Sequence, residues 1–249
     1  MKFNLNSSQI EILKMSALFF MLVDHFYRFL PQYNFNYFTF EIGRLAFPLF
    51  AFLFTYNFKC SKDRFNKMIK RLAIFSILAQ ITFFIFGMGI NPIDLNFNGN
   101  VLFTFLVAII LIFYIKDKLL NNFVASILIF INIVIVSFDF FNNKYLEHYL
   151  YLFDYGISGS LFIYYLYYRK YIYSFVFYVL SEFMLITNSE DKIITITLIV
   201  LVPLILYFYI KLIEKIKIEV KRLPKYSFYI LYVLNIFMIY ILEVFLEVF

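Results

Sequence analysis

Residues 193–213 read IITITLIVLVPLILYFYIKLI, a run of apolar side chains interrupted by one charge, Lys211. A helix that crosses a bilayer needs about 20 consecutive apolar residues, so this stretch is long enough on its own. Polar and turn-forming segments separate eight more apolar stretches. The nine predicted spans are residues 10–30, 41–58, 65–87, 100–115, 120–140, 148–168, 171–187, 193–213 and 226–246.

The composition supports the same fold class. Of the 249 residues, 63% are hydrophobic and 15% are charged, whereas soluble domains average about 45–50% apolar and about 25% charged residues. Nine spans would use most of the chain and leave no room for a separate soluble domain. We therefore predict an all-α, polytopic integral-membrane helical bundle of about nine transmembrane helices, forming one domain over residues 1–249.

The distribution of positive charge predicts an orientation. If the N-terminus is cytoplasmic, the inside segments hold 18 of the 22 lysines and arginines, as expected from the cytoplasmic bias of these residues. The C-terminus should then lie outside the bacterial inner membrane. The net charge of +6 is explained by these loops, so we expect membrane lipids and no nucleic acid as partners.

Few residues are available for disulfides or metal binding. Cys60 is the single cysteine, and His25 and His148 are the two histidines, which argues against a disulfide and against a metal cofactor. The first apolar stretch contains Asp24 and His25 and has no small-residue cleavage site, so it does not resemble a cleaved signal peptide. We expect it to remain part of the protein.

Ionisable residues inside the first span are the main functional signal, because each is costly in a bilayer unless it is paired or hydrated. Lys14 and His25 are eleven residues apart, which places them on one helix face about 16 Å apart along the axis. Asp24 and Arg28 are spaced to pair on the same helix. A carboxylate beside an imidazole is an arrangement that general-base sites use.

Other charges are predicted to lie near this cluster. Glu41 and Arg44 begin the second span at the same depth, so the whole group could instead neutralise itself near the lipid headgroups. Asp154 and Glu182 are either residues of a solute pathway or buried partners of Arg44. His148 is predicted to be an ordinary solvated histidine.

Five motifs give the chain a resemblance to a known family. They are Lys14 with Ala17; Met21-Leu22-Val23-Asp24-His25; Gly43-Arg44-Leu45-Ala46-Phe47-Pro48-Leu49-Phe50-Ala51-Phe52; Arg71-Leu72; and Asn100-Val101-Leu102-Phe103-Thr104. With these motifs the sequence resembles the TraX family, membrane proteins linked to N-acetylation of F-type conjugative pilin. The resemblance is dense over residues 10–105, and the family is similar to the wider transmembrane acyltransferases.

The resemblance implies an enzyme that moves an acyl group, acetyl for this family, from cytosolic acetyl-CoA or another acyl-CoA to an amine or hydroxyl. The acceptor would be a protein N-terminus or a glycan. His25 and Asp24 would be the catalytic residues. The residues implied in binding are Lys14, Arg44 and Arg71 for the acyl-CoA, and Arg28 and Asn100 for the acceptor substrate.

One departure from the family pattern keeps other functions open. The family's last motif ends in Pro-x-His, but this chain has Val233 and Asn235 there, and an amide cannot exchange a proton as an imidazole does. A catalytically inactive pilus or envelope assembly protein is therefore one alternative. A proton-coupled transporter is the other, because intramembrane charges also line transport pathways, although no related halves are visible in the sequence.

Overall fold

The structure, a computed structural model, describes residues 3–29, 42–58, 62–90, 100–115, 155–183, 192–224 and 226–248, together with the single position 127. Within these ranges it consists of helices and short connections. The eight helices are α1 (Ser7–Phe29), α2 (Ala46–Asn57), α3 (Lys62–Ile90), α4 (Val101–Tyr114), α5 (Gly156–Tyr167), α6 (Tyr171–Phe183), α7 (Lys192–Lys215) and α8 (Ser227–Val248). The all-α prediction is confirmed.

The nine-span prediction is supported only in part. Each of the eight helices overlaps one predicted span, and the span at 120–140 lies outside the described residues except for position 127. Within the described ranges one stretch, Asp63–Ile85 in α3, is long and apolar enough to cross a membrane. Helix α4 has 14 residues and ends at a described, extended Ile115. At 1.5 Å per residue it is shorter than a hydrocarbon core of about 30 Å.

Helix α3 has the surface of a membrane helix rather than that of a soluble core helix. Only 17% of its most apolar window is buried within the protein. Large apolar side chains along the helix are exposed, including Ile74, Ile77, Ile81 and Ile85. A soluble monomer rarely exposes so continuous an apolar face, and a lipid environment removes its cost.

The chain divides into two compact units, and the single-domain prediction over 1–249 stays a prediction. Unit 1 comprises Met1–Leu53, Leu78–Leu95 and Leu201–Phe249; unit 2 comprises Phe54–Ile77 and Asn96–Val200. In unit 1, α1 packs against α8. Leu13, Ala17 and Met21 recur every fourth residue on α1 and are buried, because this spacing places them on one helix face. Unit 1 contains most of the predicted site.

In unit 2, α5 packs against both α4 and α6. The short turn between α5 and α6 includes Arg169 in the left-handed region, with φ of 60°. The Lys170 N–H donates to the Tyr165 carbonyl at 2.9 Å, which closes the end of α5 in the manner of a Schellman motif. Tyr165 also stacks on Phe177 of α6, with ring centroids 5.4 Å apart, so the predicted Arg169-Lys170 boundary is a tight helical turn.

Candidate active site

Gly43 brings the start of the second apolar stretch directly against α1. A Cβ added at Gly43 would lie 2.5 Å from the Asp24 Cβ, 2.6 Å from its Cα and 2.7 Å from its backbone nitrogen. Since carbon atoms in contact are normally about 3.5–4.0 Å apart, only glycine permits this approach. Helix α2 then begins at Ala46, and Pro48 lies in its first turn, where the missing N–H has no cost.

This close approach places Arg44 beside Asp24. The Arg44 Nε lies 3.9 Å from the Asp24 Oδ1, and both side chains are almost completely buried. At this separation the Nε and the Oδ1 attract each other as opposite charges. A buried charge is tolerated when an opposite charge is near, so the contact explains how Asp24 and Arg44 can both be buried in unit 1.

His25 is buried beside α8. Its Nδ1 lies 3.0 Å from the Oδ1 of Asn235, and His25 and Asn235 are 7% and 2% exposed. The Asn235 amide nitrogen points to the sulfur of Met21 at 3.5 Å, one turn before His25 on α1. The imidazole and the Phe83 ring also pack nearly perpendicular to each other, with ring centroids 5.9 Å apart. Asn235, at the position where the family motif has histidine, is therefore a direct neighbour of His25.

Lys14 lies on the same helix as His25 and is paired with an acidic residue. Its Nζ is 2.9 Å from the Glu11 Oε1, and the Lys14 side chain is 29% exposed. The ammonium also sits 5.0 Å from the ring centroid of Phe228 on α8, a cation–π distance. Glu11 is 1% exposed, and its Oε1 also lies 3.9 Å from the Nε of the exposed Arg222.

The segment 216–224, which follows α7, is fastened to the beginning of α1. The Gln9 amide donates to the Glu214 and Ile216 carbonyls at 2.8 and 3.1 Å. The Val220 N–H donates to the Ser8 hydroxyl at 3.2 Å. These bonds hold a segment with three exposed cations, Lys217, Lys221 and Arg222, against the end of α1 that carries Lys14.

A second ion pair completes this end of unit 1. Lys211 Nζ lies 2.7 Å from Glu214 Oε2, and the Asn4 N–H donates to Glu214 Oε1 at 2.7 Å. The hydrogen bond from Lys211, followed by that from Asn4, holds the pKa of the Glu214 carboxyl below its usual value. Glu214 is therefore an ionised anchor for the N-terminal segment.

Asn100 caps a helix in unit 2. Its Oδ1 accepts the Leu102 N–H at 3.0 Å, so it is the N-cap of α4, and its amide nitrogen donates to the Ser76 carbonyl at 2.8 Å. A buried asparagine at this position satisfies backbone groups at two helices. The residue is 3% exposed, so the contacts favour a structural role, and the predicted acceptor binding stays a prediction.

The remaining predicted residues are dispersed. Arg71 is half-buried on α3 in unit 2, and Glu182 is buried near the end of α6 in the same unit. Arg28 lies in α1, but its side chain is outside the described residues, as are Glu41, His148 and Asp154 entirely. Unit 1 thus holds the predicted residues Lys14, Asp24, His25 and Arg44.

Two contacts were missed by the sequence reasoning. Glu11 lies within the first predicted span and three residues before Lys14, so its pairing was visible as an i,i+3 spacing. Asn235 could be flagged as a departure from the family motif, but its position against His25, 210 residues away in sequence, requires the tertiary structure. In the described part of the chain, no group of three or more His, Cys, Asp or Glu residues is arranged to hold a metal ion.

The apolar surface of α3 is typical of a membrane helix, and unit 1 contains a cluster of buried charges. The sequence model of one family, described as TraX protein, matches residues 9–243. The chain belongs to the TraX family, as its motifs predict. No curated protein and no solved structure matches the chain.

Proposed function

We propose that this protein is an integral-membrane acyltransferase that moves an acyl group, acetyl by family resemblance, from cytosolic acyl-CoA to an amine or hydroxyl acceptor. The observation that carries the proposal is the buried His25 on the same face of α1 as Lys14. Lys14 lies about 16 Å away along the axis, at the end of unit 1 where other cations are exposed. One helix thus combines a candidate base with a candidate anion site.

The base acts on the acceptor. An imidazole nitrogen of His25 takes the proton of the acceptor amine or hydroxyl as that atom attacks the thioester carbonyl carbon. The new carbon–nitrogen or carbon–oxygen bond forms, the carbon–sulfur bond breaks, and the CoA thiolate leaves. The thiolate then takes up the proton from His25, so the residue returns to its starting state. If Arg44 turns from Asp24, the Asp24 carboxylate would add negative charge near the imidazolium. The acceptor contact of Arg28 stays what the family resemblance implies.

The donor is held at the other end of the helix. Lys14, with Arg222 and the lysines of segment 216–224, supplies positive charge for the CoA phosphates. The extended pantetheine arm is comparable in length to the distance from Lys14 to His25. Glu11 competes with the phosphates for Lys14, so donor binding would exchange one ion pair for another. Arg44 would stabilise the oxyanion if it turned from Asp24. The donor contact that the resemblance implies for Arg71 stays a prediction.

The test uses the two histidines as a matched pair. His25→Ala should lower acyl transfer about 10²–10⁴-fold, the usual contribution of a general base, while His148→Ala should leave it unchanged. Transfer is measured by mass spectrometry of envelope proteins and polymers from cells that carry each variant or none. Acetyl-CoA hydrolysis by purified protein provides a second readout. A His25→Ala protein with near-normal turnover would exclude this mechanism.

Donor binding has its own matched pair. Lys14 and Lys211 each pair with a glutamate three residues away on the same helix and lie over a phenylalanine ring. Lys14→Ala should weaken acetyl-CoA binding, measured by calorimetry in detergent, more than Lys211→Ala does. Equal effects of the two changes would indicate diffuse charge attraction and contradict a specific role for Lys14.

The alternative of an inactive assembly protein has one observation in its favour. Asn235 stands where the family motif has histidine, and it touches His25, so a second imidazole is missing beside the first. Failure of the wild-type protein to bind acetyl-CoA, together with no acylated product in cells, would favour this alternative.

A further inference from the structure

Asn235 presents a defined atom to His25. An asparagine amide offers one acceptor oxygen and one donor NH2 group, and the two ends must be distinguished by their neighbours. Here the nitrogen end faces the Met21 sulfur at 3.5 Å, which is a weak acceptor. The oxygen end faces the imidazole at 3.0 Å. The reverse orientation would place the carbonyl oxygen against a thioether, which has no hydrogen to donate.

The direction of the amide fixes the hydrogen on the ring. A carbonyl oxygen can only accept a hydrogen bond, so this orientation of the Asn235 amide selects the tautomer in which the His25 Nδ1 donates. In the neutral imidazole one nitrogen carries the hydrogen and the other carries the lone pair, and the hydrogen bond at one nitrogen decides which is which. The lone pair is therefore on Nε2, and Nε2 is the atom that can take a proton from a substrate.

The surroundings also restrict rotation of the ring. Phe83 packs edge-on against the imidazole with an interplanar angle of 82°, and Asn235 is held at its other end by Met21 of α1. His25 and Met21 are one turn apart, so a single side chain from α8 spans two consecutive turns of α1. The amide is thus fixed relative to the ring that it orients.

We infer that Asn235 is a positioning residue that holds the proton of neutral His25 on Nδ1 and leaves Nε2 as the basic nitrogen. The inference rests on the proposed function, because it assigns the atom through which His25 would act. The inference also gives Asn235 a role at the position where the family motif has histidine, because an amide can orient a neighbouring base without exchanging a proton itself.

The first experiment measures the ring directly and needs no activity. In a His148→Gln protein His25 is the one remaining histidine, so selective 15N-histidine labelling gives two ring signals from one side chain. In detergent or nanodiscs, at a pH where the ring is neutral, we expect the hydrogen on Nδ1. A wild-type ring with its hydrogen on Nε2 would overturn the inference, whereas the proposed function could survive with the other nitrogen as base.

Variants then separate positioning from packing. Asn235→Leu has a side chain of similar size but no acceptor, so the ring should lose its preference for the Nδ1–H form and kcat should fall about 10²-fold or more. The KM for acetyl-CoA should change little, because the donor binds at the other end of α1. Asn235→Asp keeps an acceptor at the same place and should preserve both the Nδ1–H form and most of kcat.

The control is Ile239→Val, one turn later on the same buried face of α8. It should leave the 15N signals and kcat unchanged. A merely structural role for Asn235 would instead lower stability and kcat in both Asn235 variants without moving the ring hydrogen, and that result would overturn the inference. A third outcome is possible, in which the hydrogen lies on Nδ1 but His25→Ala retains turnover. The assignment of the ring hydrogen would then be correct, but both the proposed function of His25 as the base and the positioning role of Asn235 would be refuted.

Discussion

Replacing Gly43 with alanine tests the packing that assembles the charge cluster. The new Cβ would lie 2.5–2.7 Å from three atoms of Asp24, two of them backbone. Normal carbon contacts are about 3.5–4.0 Å, so α1 and the segment 42–45 must move apart by about 1 Å. Backbone atoms cannot rotate away as a side chain can, so the strain is not relieved locally.

The magnitude follows from two effects. Overpacking of this kind costs about 1–3 kcal/mol. The Asp24–Arg44 pair, already 3.9 Å apart, would lengthen toward 5 Å, which weakens the attraction between two buried charges. We therefore expect the free energy of unfolding to fall by about 2–4 kcal/mol, the sum of overpacking and a partly lost buried pair. Displacement of a catalytic cluster by about 1 Å can lower turnover about 10²-fold.

The assay is thermal unfolding in detergent combined with acyl transfer. Leu45→Ala is the matched control, because it alters a half-buried side chain of the same turn without adding an atom near Asp24. It should have the smaller effect on both measurements. A Gly43→Ala protein with wild-type thermal stability and turnover would refute the reasoning that this glycine sets the position of Arg44.

Three further predictions concern the remaining contacts. Glu11→Gln should lower the free energy of unfolding by about 1 kcal/mol, because it removes an ion pair whose lysine is partly exposed. It should also strengthen acetyl-CoA binding in calorimetry, because Lys14 loses its carboxylate partner. Weaker binding would contradict the proposed competition between Glu11 and the CoA phosphates. Asn100→Ala should lower the free energy of unfolding by about 0.5–2 kcal/mol because the helix cap is lost, and by a further amount because the Ser76 carbonyl loses its donor. A variant with unchanged stability and a raised KM for the acceptor would instead support the predicted role in substrate binding. A reporter fused after Phe249 should be active outside the cytoplasm, and cytoplasmic activity would mean that the number of spans is wrong.

The sequence predicted helices well because apolar length is a local property. The turn at Arg169-Lys170 lies at a predicted boundary, because two adjacent charges between apolar stretches are a local signal. Helix α2 begins at Ala46, inside the predicted span 41–58. Whether an individual helix crosses the membrane depends on how much of its surface packs against other helices. Hydropathy alone does not determine that packing.

The candidate site was predictable only for residues close in sequence. Asp24 and His25 stood out because charge is costly in an apolar span, and the glycine before Arg44 belongs to a recognisable motif. Adjacent residues on a helix point about 100° apart, so the sequence did not predict which groups Asp24 and His25 would each contact. The structure gives Asp24 the charge of Arg44 and gives His25 the amide of Asn235, which lies at the far end of the chain.

The Asn235–His25 contact also sets an order of events during synthesis. A ribosome adding about 5–20 residues per second needs about 10–40 seconds to pass from residue 25 to residue 235. Arg44 emerges soon after Asp24, so the charge pair can close early, whereas the imidazole must wait for almost the entire chain. Any product that stops before Asn235 would hold a neutralised carboxylate and an unoriented histidine. If the proposed function holds, the protein would become active only when its last helix is inserted, and chains that end before Asn235 would be inactive.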